Sequence, residues 1–482
     1  MKRQRTLLIV VGMIGFLHAA AMTAMAQDQG EDTSKPEPAA RTYNPLAWDY
    51  QDPSGDQDSA PAVQPDVRPL TGIQIPTLGS PEFRHSYWVP GFQYSNIVSS
   101  TSLNQTTASG WNSTSYLVGN LSLLEAWSRS QLSMNYSGGA LFPSDSKQNR
   151  GYFHLLGLSH ISDWGRWRLV ILDQFSYLPD SPFGFGGGTG ISIPGIGGSL
   201  GAPLPGLGGS YQPNQTVLTT FGTRYGNALA TQVSYKLSRR GSINVAGFYG
   251  ILRFLQPGNI QSNDYGGNLG YDYALGKKDT IGVLYRFSAF RYIGAPQAAL
   301  NDHAIHLSYG RKITGRLALQ ISGGPEITTF AVPIGTATSQ IGESVSANLN
   351  YATTYNRLLL TYSHGVSNGS GVQAGSASDQ VQTELSRQLS RSWRGNFNFG
   401  YAHNGNLGNL AAGQTGQTFN SYYVGGNLSH PLGREATFSV AYTSRIQTSN
   451  QAVCAGGICN TNHTENQITL GVSWHARPFV LR

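Results

Sequence analysis

The stretch PLGREATFSVAYTSR, residues 431–445, decides how the chain is read. Ala436, Phe438, Val440 and Tyr442 fall on every second position, with Glu435, Thr437, Ser439 and Ala441 between them. Strict alternation behind a short charged turn describes a strand with one apolar and one polar face. The fold then depends on what covers the apolar face.

The same device repeats along the chain. Short polar turns recur as SDWGR near 164, LSRRG near 240, LGKKD near 278, KITGR near 314, TTYNR near 356, LSRSW near 391 and PLGRE near 433. Alternating segments of about 10–14 residues flank each turn, the length of a tilted membrane strand. Ile281, Val283, Tyr285 and Phe287 share one face of such a segment, and Val345, Ala347, Leu349 and Tyr351 share another. Between the hairpins lie segments rich in Gly, Asn, Ser and Gln: 103–110, 141–149, 178–216, 255–263, 293–302, 331–342, 368–378, 404–417 and 450–462. Short turns and long loops alternate, which is an internal repeat of hairpins.

Counting from a strand at about 91–102, the pattern predicts an all-β, antiparallel transmembrane β-barrel of about 18 strands, 16 being the alternative count. Both ends of the domain fall on the short-turn side, the layout of short periplasmic turns and long external loops. Lipid then covers the apolar face, and closure removes the unpaired strand edges that a bilayer does not tolerate. A soluble β-sandwich or propeller is the competing reading. It calls for loops of similar length at both ends and more surface charge.

Composition points the same way. Charged residues are 12% of the chain, against about 25% in ordinary globular proteins. Neutral Ser, Thr, Asn and Gln take their place, and Tyr, Phe and Trp reach 11%. Past the amino terminus no apolar run approaches the ~18 residues of a membrane helix. The amino terminus itself reads as a signal peptide over 1–26. Lys2, Arg3 and Arg5 precede LLIVVGMIGFLHAAA, and Ala24-Met25-Ala26 supplies the cleavage pattern after Ala26. An uncleaved anchor is the alternative. Residues 27–90 are acidic and rich in Pro, with little periodicity, and read as a largely disordered periplasmic leader. The barrel is placed at 91–482.

Over 91–482 the chain resembles bacterial outer-membrane porin-like barrels, although its motifs fix no subfamily. The resemblance implies an outer-membrane location, contact with outer-membrane lipids, and passage of small solutes. It also implies recognition of the last strand by the barrel-assembly machinery through an aromatic residue near the end. Here that residue is Phe479 in PFVLR, three residues short of the last. The longest loop, 178–216, follows the fifth predicted strand and opens LPDSPFGFGGGTG, similar to the start of the porin constriction loop. Asp180, Phe183 and Phe185 are the candidates carried by that likeness. Strands near 151–161 and 166–177 are apolar on both faces, and such strands are normally covered on both. The loop packed inside against them is one reading, and a mobile external loop is the other.

Charge placement bears on function. Lys2, Arg3 and Arg5 leave with the signal, and the leader holds ten acidic and four basic residues, so the barrel carries +10 of the chain's +7 total. Most of this basic charge, including Arg239, Arg240, Lys277, Lys278, Arg391 and Arg434, sits at short turns. There it faces the anionic head groups of the inner leaflet. The distribution lacks the stripe expected of a nucleic-acid binder. Asp173, Arg224, Arg286 and Glu384 are the charges that alternation places toward the lumen. They act either as selectivity charges or as wall-bracing ion pairs.

Cys454 and Cys459, in CAGGIC, read as a local disulfide at a loop tip of an exported chain. A metal site is the alternative, but it needs further ligands and only His463 is near. No cofactor is expected, and no nucleophile–base–acid arrangement or phosphate motif suggests an enzyme. The predicted function is a passive channel for small hydrophilic solutes. The alternatives are a plugged transporter of apolar or amphipathic molecules and a structural or adhesive barrel.

Overall fold

The structure, a computed structural model, describes residues 86–101, 111–144, 150–179, 223–255, 259–293, 299–331, 338–367, 375–407, 417–455 and 458–481. Its strands are β1 (Ser86–Thr101), β2 (Trp111–Ala126), β3 (Ser130–Pro143), β4 (Gly151–Trp164), β5 (Trp167–Leu178) and β6 (Arg224–Lys236). They continue as β7 (Gly241–Phe254), β8 (Gln261–Ala274), β9 (Asp279–Ile293), β10 (Ala299–Lys312), β11 (Leu317–Ala331) and β12 (Thr338–Ala352). The last are β13 (Asn356–Ser367), β14 (Ser376–Gln388), β15 (Arg394–Asn406), β16 (Thr418–Leu432), β17 (Ala436–Ala455), β18 (Ile458–His475) and the short β19 (Phe479–Leu481).

From β1 to β18 each strand pairs antiparallel with the next, and β1 pairs with β18 from Gly91↔His475 to Thr101↔Glu465. The sheet therefore closes into an 18-strand barrel. Strand β19 resumes the line of β18 and pairs with the start of β1, where Phe479 stacks on Trp88 at 4.7 Å. Among the described residues no helix is long and apolar enough to cross a membrane. The spanning elements are strands.

Alternation and register assign the two faces. On β9, Ile281, Val283 and Tyr285 are exposed, whereas Thr280, Leu284 and Arg286 are buried. On β17 the opening stretch behaves as predicted, with Phe438 and Tyr442 outward and Ser439, Ala441 and Thr443 inward. Leu307 is 69% exposed directly opposite Val283 at 51%. In water so many exposed apolar side chains would aggregate, and a hydrocarbon belt covers them instead. Trp127, Trp164 and Trp167 stand exposed beside short turns, and Trp111 and Tyr152 beside external ends, as interfacial aromatic girdles. In the shortest turn Gly165 takes φ 58°, a left-handed conformation that a residue with a Cβ resists.

Two boundaries differ from the sequence reading. Strand β1 begins at Ser86, so residues 86–90 belong to the wall. The external ends of most strands also run further than composition suggests. The expected loop 450–462 is mostly the β17–β18 hairpin, which leaves only 456–457 between strands after a register shift between Thr448 and Val453. Likewise Gln261–Asn263 and Ala299–Asp302 are strand, not loop. Polar residues signal loops in soluble proteins. Above the hydrocarbon they stay in the ladder, because both strand faces there meet water.

The face assignment makes a direct prediction. Val283→Arg puts a cation into hydrocarbon and should destabilise the barrel by about 2–4 kcal/mol, whereas Thr361→Arg on the inner face should cost little. Reversible denaturant unfolding in lipid vesicles measures both.

Candidate functional site

The inner wall is the surface on which function can be built, and it has two characters. Its first part is apolar. Phe153, Leu155 and Leu178 cluster with Ile97 and Val118, and Val170 and Leu172 cluster with Ala230, Ala246 and Phe248. Register puts all of these inward, while Leu156, Leu158, Leu169 and Ile171 point outward, so β4 and β5 are indeed apolar on both faces. From β14 to β18 the inward positions are amides and hydroxyls, among them Gln380, Gln382, Asn396, Asn398, Ser421 and Thr443. There Arg445 meets Glu465 at 3.2 Å and lies 5.8 Å from the Tyr423 ring centre.

Between these regions stands a buried charged cluster. Arg286 of β9 lies opposite Ala304 of β10, which lies opposite Glu326 of β11. Two strand spacings separate Arg286 from Glu326, about 10 Å between backbones. The small Ala304 side chain leaves the guanidinium room to cross, and Nη2 reaches Glu326 Oε1 at 2.6 Å and Asp302 Oδ2 at 3.0 Å. Thr328 Oγ1 donates to the other Asp302 oxygen at 3.3 Å. All three charged groups are nearly excluded from solvent. One cation against two acids is a wall brace whose members depend on one another.

Above this cluster the wall doubles. The ladder between β12 and β13 stops at Val345↔His364, yet β13 and β14 stay paired to Ser367↔Ser376. Val366 and Ala377 occupy outward positions of their own strands, but they pack against Phe290, Tyr292, Leu300 and Phe330. Those four are inward on β9–β11. The external end of the β13–β14 hairpin therefore lies inside the barrel, against the inner face of β9–β11. Gly365 makes the bend with φ 156°, and a Cβ there would come within 3.0 Å of Ser344 Oγ. The Val366 amide donates to Glu326 Oε1 at 3.5 Å and links the inturned hairpin to the cluster.

The sequence candidates fare unevenly. Arg286 is inward and forms the cluster. Arg224 is inward at the external end of β6, 1% exposed, between Leu178 and Phe254 in register. Glu384 is inward on β14, opposite Leu359 and Asn398, and open to the lumen. Asp173 is not on the lumen wall. Register sets it on the outer face opposite Leu158 and Leu229, where Asn227 Nδ2 donates to its carboxylate at 2.9 Å. A strand apolar on both faces gives alternation no phase, which is why the sequence misplaced it. Asp180, Phe183 and Phe185 lie outside the described residues. Backbone register sets Cys454 opposite Cys459, although their side chains lie outside the described residues. Among the described residues no group of His, Cys, Asp or Glu is placed to hold a metal.

Asp302, Glu326, Arg445 and Glu465 were missed. Asp302 sits in a segment that composition marks as loop, and Glu465 sits just past another. Arg445 needed only the alternation of its own strand, since it shares the phase of Ser439 and Thr443.

No protein-family model matches the chain, and no curated protein matches it. Among solved structures it is similar to Pseudomonas aeruginosa OccK2 (OpdF) in complex with glucuronate, at 12% identity, covering 82% of this chain and 98% of that one with TM-score 0.41. It is similar also to Pseudomonas aeruginosa OpdK with vanillate, at 9% identity, 81% and 99% coverage and TM-score 0.41. A BenF-like porin from Pseudomonas fluorescens Pf-5 gives 8% identity, 83% and 100% coverage and TM-score 0.41. Likeness at this level carries nothing about substrate or mechanism. Closure, the apolar outer belt and the turn–loop asymmetry stand on the coordinates themselves. This is a closed 18-strand antiparallel β-barrel with the apolar outer belt of a membrane-spanning barrel.

Two predictions follow from the inner wall. Arg286→Met strands two buried carboxylates and should cost about 3–5 kcal/mol, more than the triple variant Arg286→Met, Asp302→Asn, Glu326→Gln. Vesicle-based urea unfolding compares the two. Gly365→Val cannot hold the bend and should displace the inturned hairpin end, raising the initial rate of neutral-solute entry into protein-loaded vesicles about twofold or more.

Proposed function

We propose that this barrel is a passive, non-catalytic channel for small hydrophilic solutes. The observation that supports this best is the inner wall of β14–β18. Most of its side chains are neutral donors and acceptors, and Arg445 and Glu465 are paired with each other. Such a wall offers a solute replacements for water without holding it tightly. Arg224 and Glu384, both inward, are the charges that set ion preference in this reading.

The inturned β13–β14 hairpin end supports a narrowed external mouth. Loop 178–216, with Asp180, Phe183 and Phe185, narrows it further by packing on the inward apolar patches of β4–β7, and the inward-facing apolar character of those patches is what supports it. The same patches favour one second reading, a plugged barrel that passes apolar or amphipathic molecules. The signal over 1–26, the acidic leader, the Cys454–Cys459 bond and docking of assembly machinery on the β19 strand with Phe479 belong to this proposal as well.

Single-channel recording of the refolded protein in a planar bilayer tests it, with a salt gradient across the membrane. Steps in the nanosiemens range are expected, and removal of 183–207 should enlarge them. An inserted but silent barrel, opened by neither deletion of that loop nor removal of 27–85, would overturn the channel reading.

A further inference from the structure

The outer wall carries two cations where hydrocarbon gives way to head groups. On β7, Val245 and Tyr249 are outward and exposed, and Arg253 shares their phase. On β9, Val283 and Tyr285 are outward and exposed, and Arg291 shares theirs. Register fixes their height. Tyr249 pairs with Tyr265 of β8 and Tyr265 with Ala289 of β9, which makes a row at the external end of the belt. One outward position higher, Arg291 lies opposite Asn263 and Asn263 opposite Ile251, and Arg253 stands one further outward position above Ile251 on β7. Strands β7 and β9 are about 10 Å apart, within the reach of one tetrahedral anion or two linked ones.

Among the described residues both guanidinium groups are held without a counterion. Arg253 Nη1 donates to the Ser262 carbonyl at 2.7 Å and the Leu252 carbonyl at 3.0 Å, and its Nη2 donates to Asn263 Oδ1 at 2.5 Å. Arg291 Nη1 donates to the Phe290 carbonyl at 2.9 Å and the Leu300 carbonyl at 3.3 Å. Its Cζ lies 5.4 Å from the Tyr265 ring centre. Neither forms an ion pair with a described residue, whereas the inward Arg286 and Arg445 do. A guanidinium has five N–H donors, so Arg291 in particular keeps most of its fork for a ligand. Half-buried, pre-oriented and uncompensated at the edge of a hydrocarbon layer, these cations need an anion from the membrane side.

We propose that the outward face of β7–β9, through Arg253 and Arg291 with Asn263 and Tyr265, binds the phosphate group of an anionic lipid in the external leaflet. Phosphate oxygens accept from the guanidinium groups, and the acyl chains lie down the exposed Val245 and Val283 rows. The site rests on the outer-membrane reading and its orientation, with the short turns toward the periplasm, and not on conduction.

The test is native mass spectrometry of the purified full-length protein in detergent. The probe is a bis-phosphorylated, acylated disaccharide lipid, compared with its dephosphorylated form and with inorganic phosphate. Wild type should retain the phosphorylated lipid at least tenfold more than the dephosphorylated one. The double variant Arg253→Gln, Arg291→Gln should lose that preference. Arg391→Gln, Arg434→Gln, which removes equal charge at the short turns, should keep it. Equal retention of both lipids, or unchanged retention by the first double variant, would overturn the site. Displacement of the lipid by millimolar inorganic phosphate would assign the arginines to free anion and overturn the lipid assignment. Heat-modifiable mobility on a gel confirms that each variant is folded. Insertion into vesicles is scored separately, so failure of the membrane reading is distinguishable from failure of the site.

Discussion

Everything in this molecule depends on hydrogen bonding of peptide groups in a medium that supplies no partners. An unpaired amide or carbonyl in hydrocarbon costs several kcal/mol, and a sheet with two edges exposes a whole row of them. Pairing of β1 with β18 removes both edges at once. Once closure is imposed, period-2 alternation sorts every residue into lipid or lumen, and register decides which inward side chains become neighbours. The Arg286–Asp302–Glu326 cluster is a product of that sorting. It needs three strands in fixed register and a small residue at Ala304 between its members.

The inner wall departs from uniformity in two ways. One side of the circumference is apolar inside as well as outside, and the other is lined by amides and hydroxyls. A solute on the polar side exchanges water for side-chain donors and acceptors of similar strength. On the apolar side it would gain nothing unless it were itself apolar. The inturned end of β13–β14 sits where these characters meet, with its own apolar residues turned against Phe290, Leu300 and Phe330.

Much of this was legible in sequence, for identifiable reasons. The apolar face of β17 could be read from Phe438, Val440 and Tyr442, because lipid-facing positions tolerate little else. Turn positions were equally clear, since short polar turns interrupt the pattern at regular spacing. What failed was the boundary between strand and loop at the external ends. Gln261–Asn263 and Ala299–Asp302 are polar because they stand in water, and they are strand because their ladder partners are strand. Asp302 and Glu465 were lost with those boundaries. Asp173 failed for another reason, in that Leu169, Val170, Ile171 and Leu172 run apolar without a phase. The inturned hairpin was illegible because Gly365 changes the direction of a strand without changing its alternation.

The seam between β1 and β18 also sets a schedule. Its partners, such as Tyr94 and Val472, stand at opposite ends of the domain, while from β1 to β18 the remaining pairings join immediate neighbours in the chain. Local hairpins can form early and independently, but the seam waits for the last strand to exist. Contacts so distant in sequence are slow to form. Until then the protein is an open sheet with two sticky borders, able to pair with any other strand it meets. The interval between synthesis of β1 and arrival of β18 is when this chain most needs shelter, and its length is written into the topology itself.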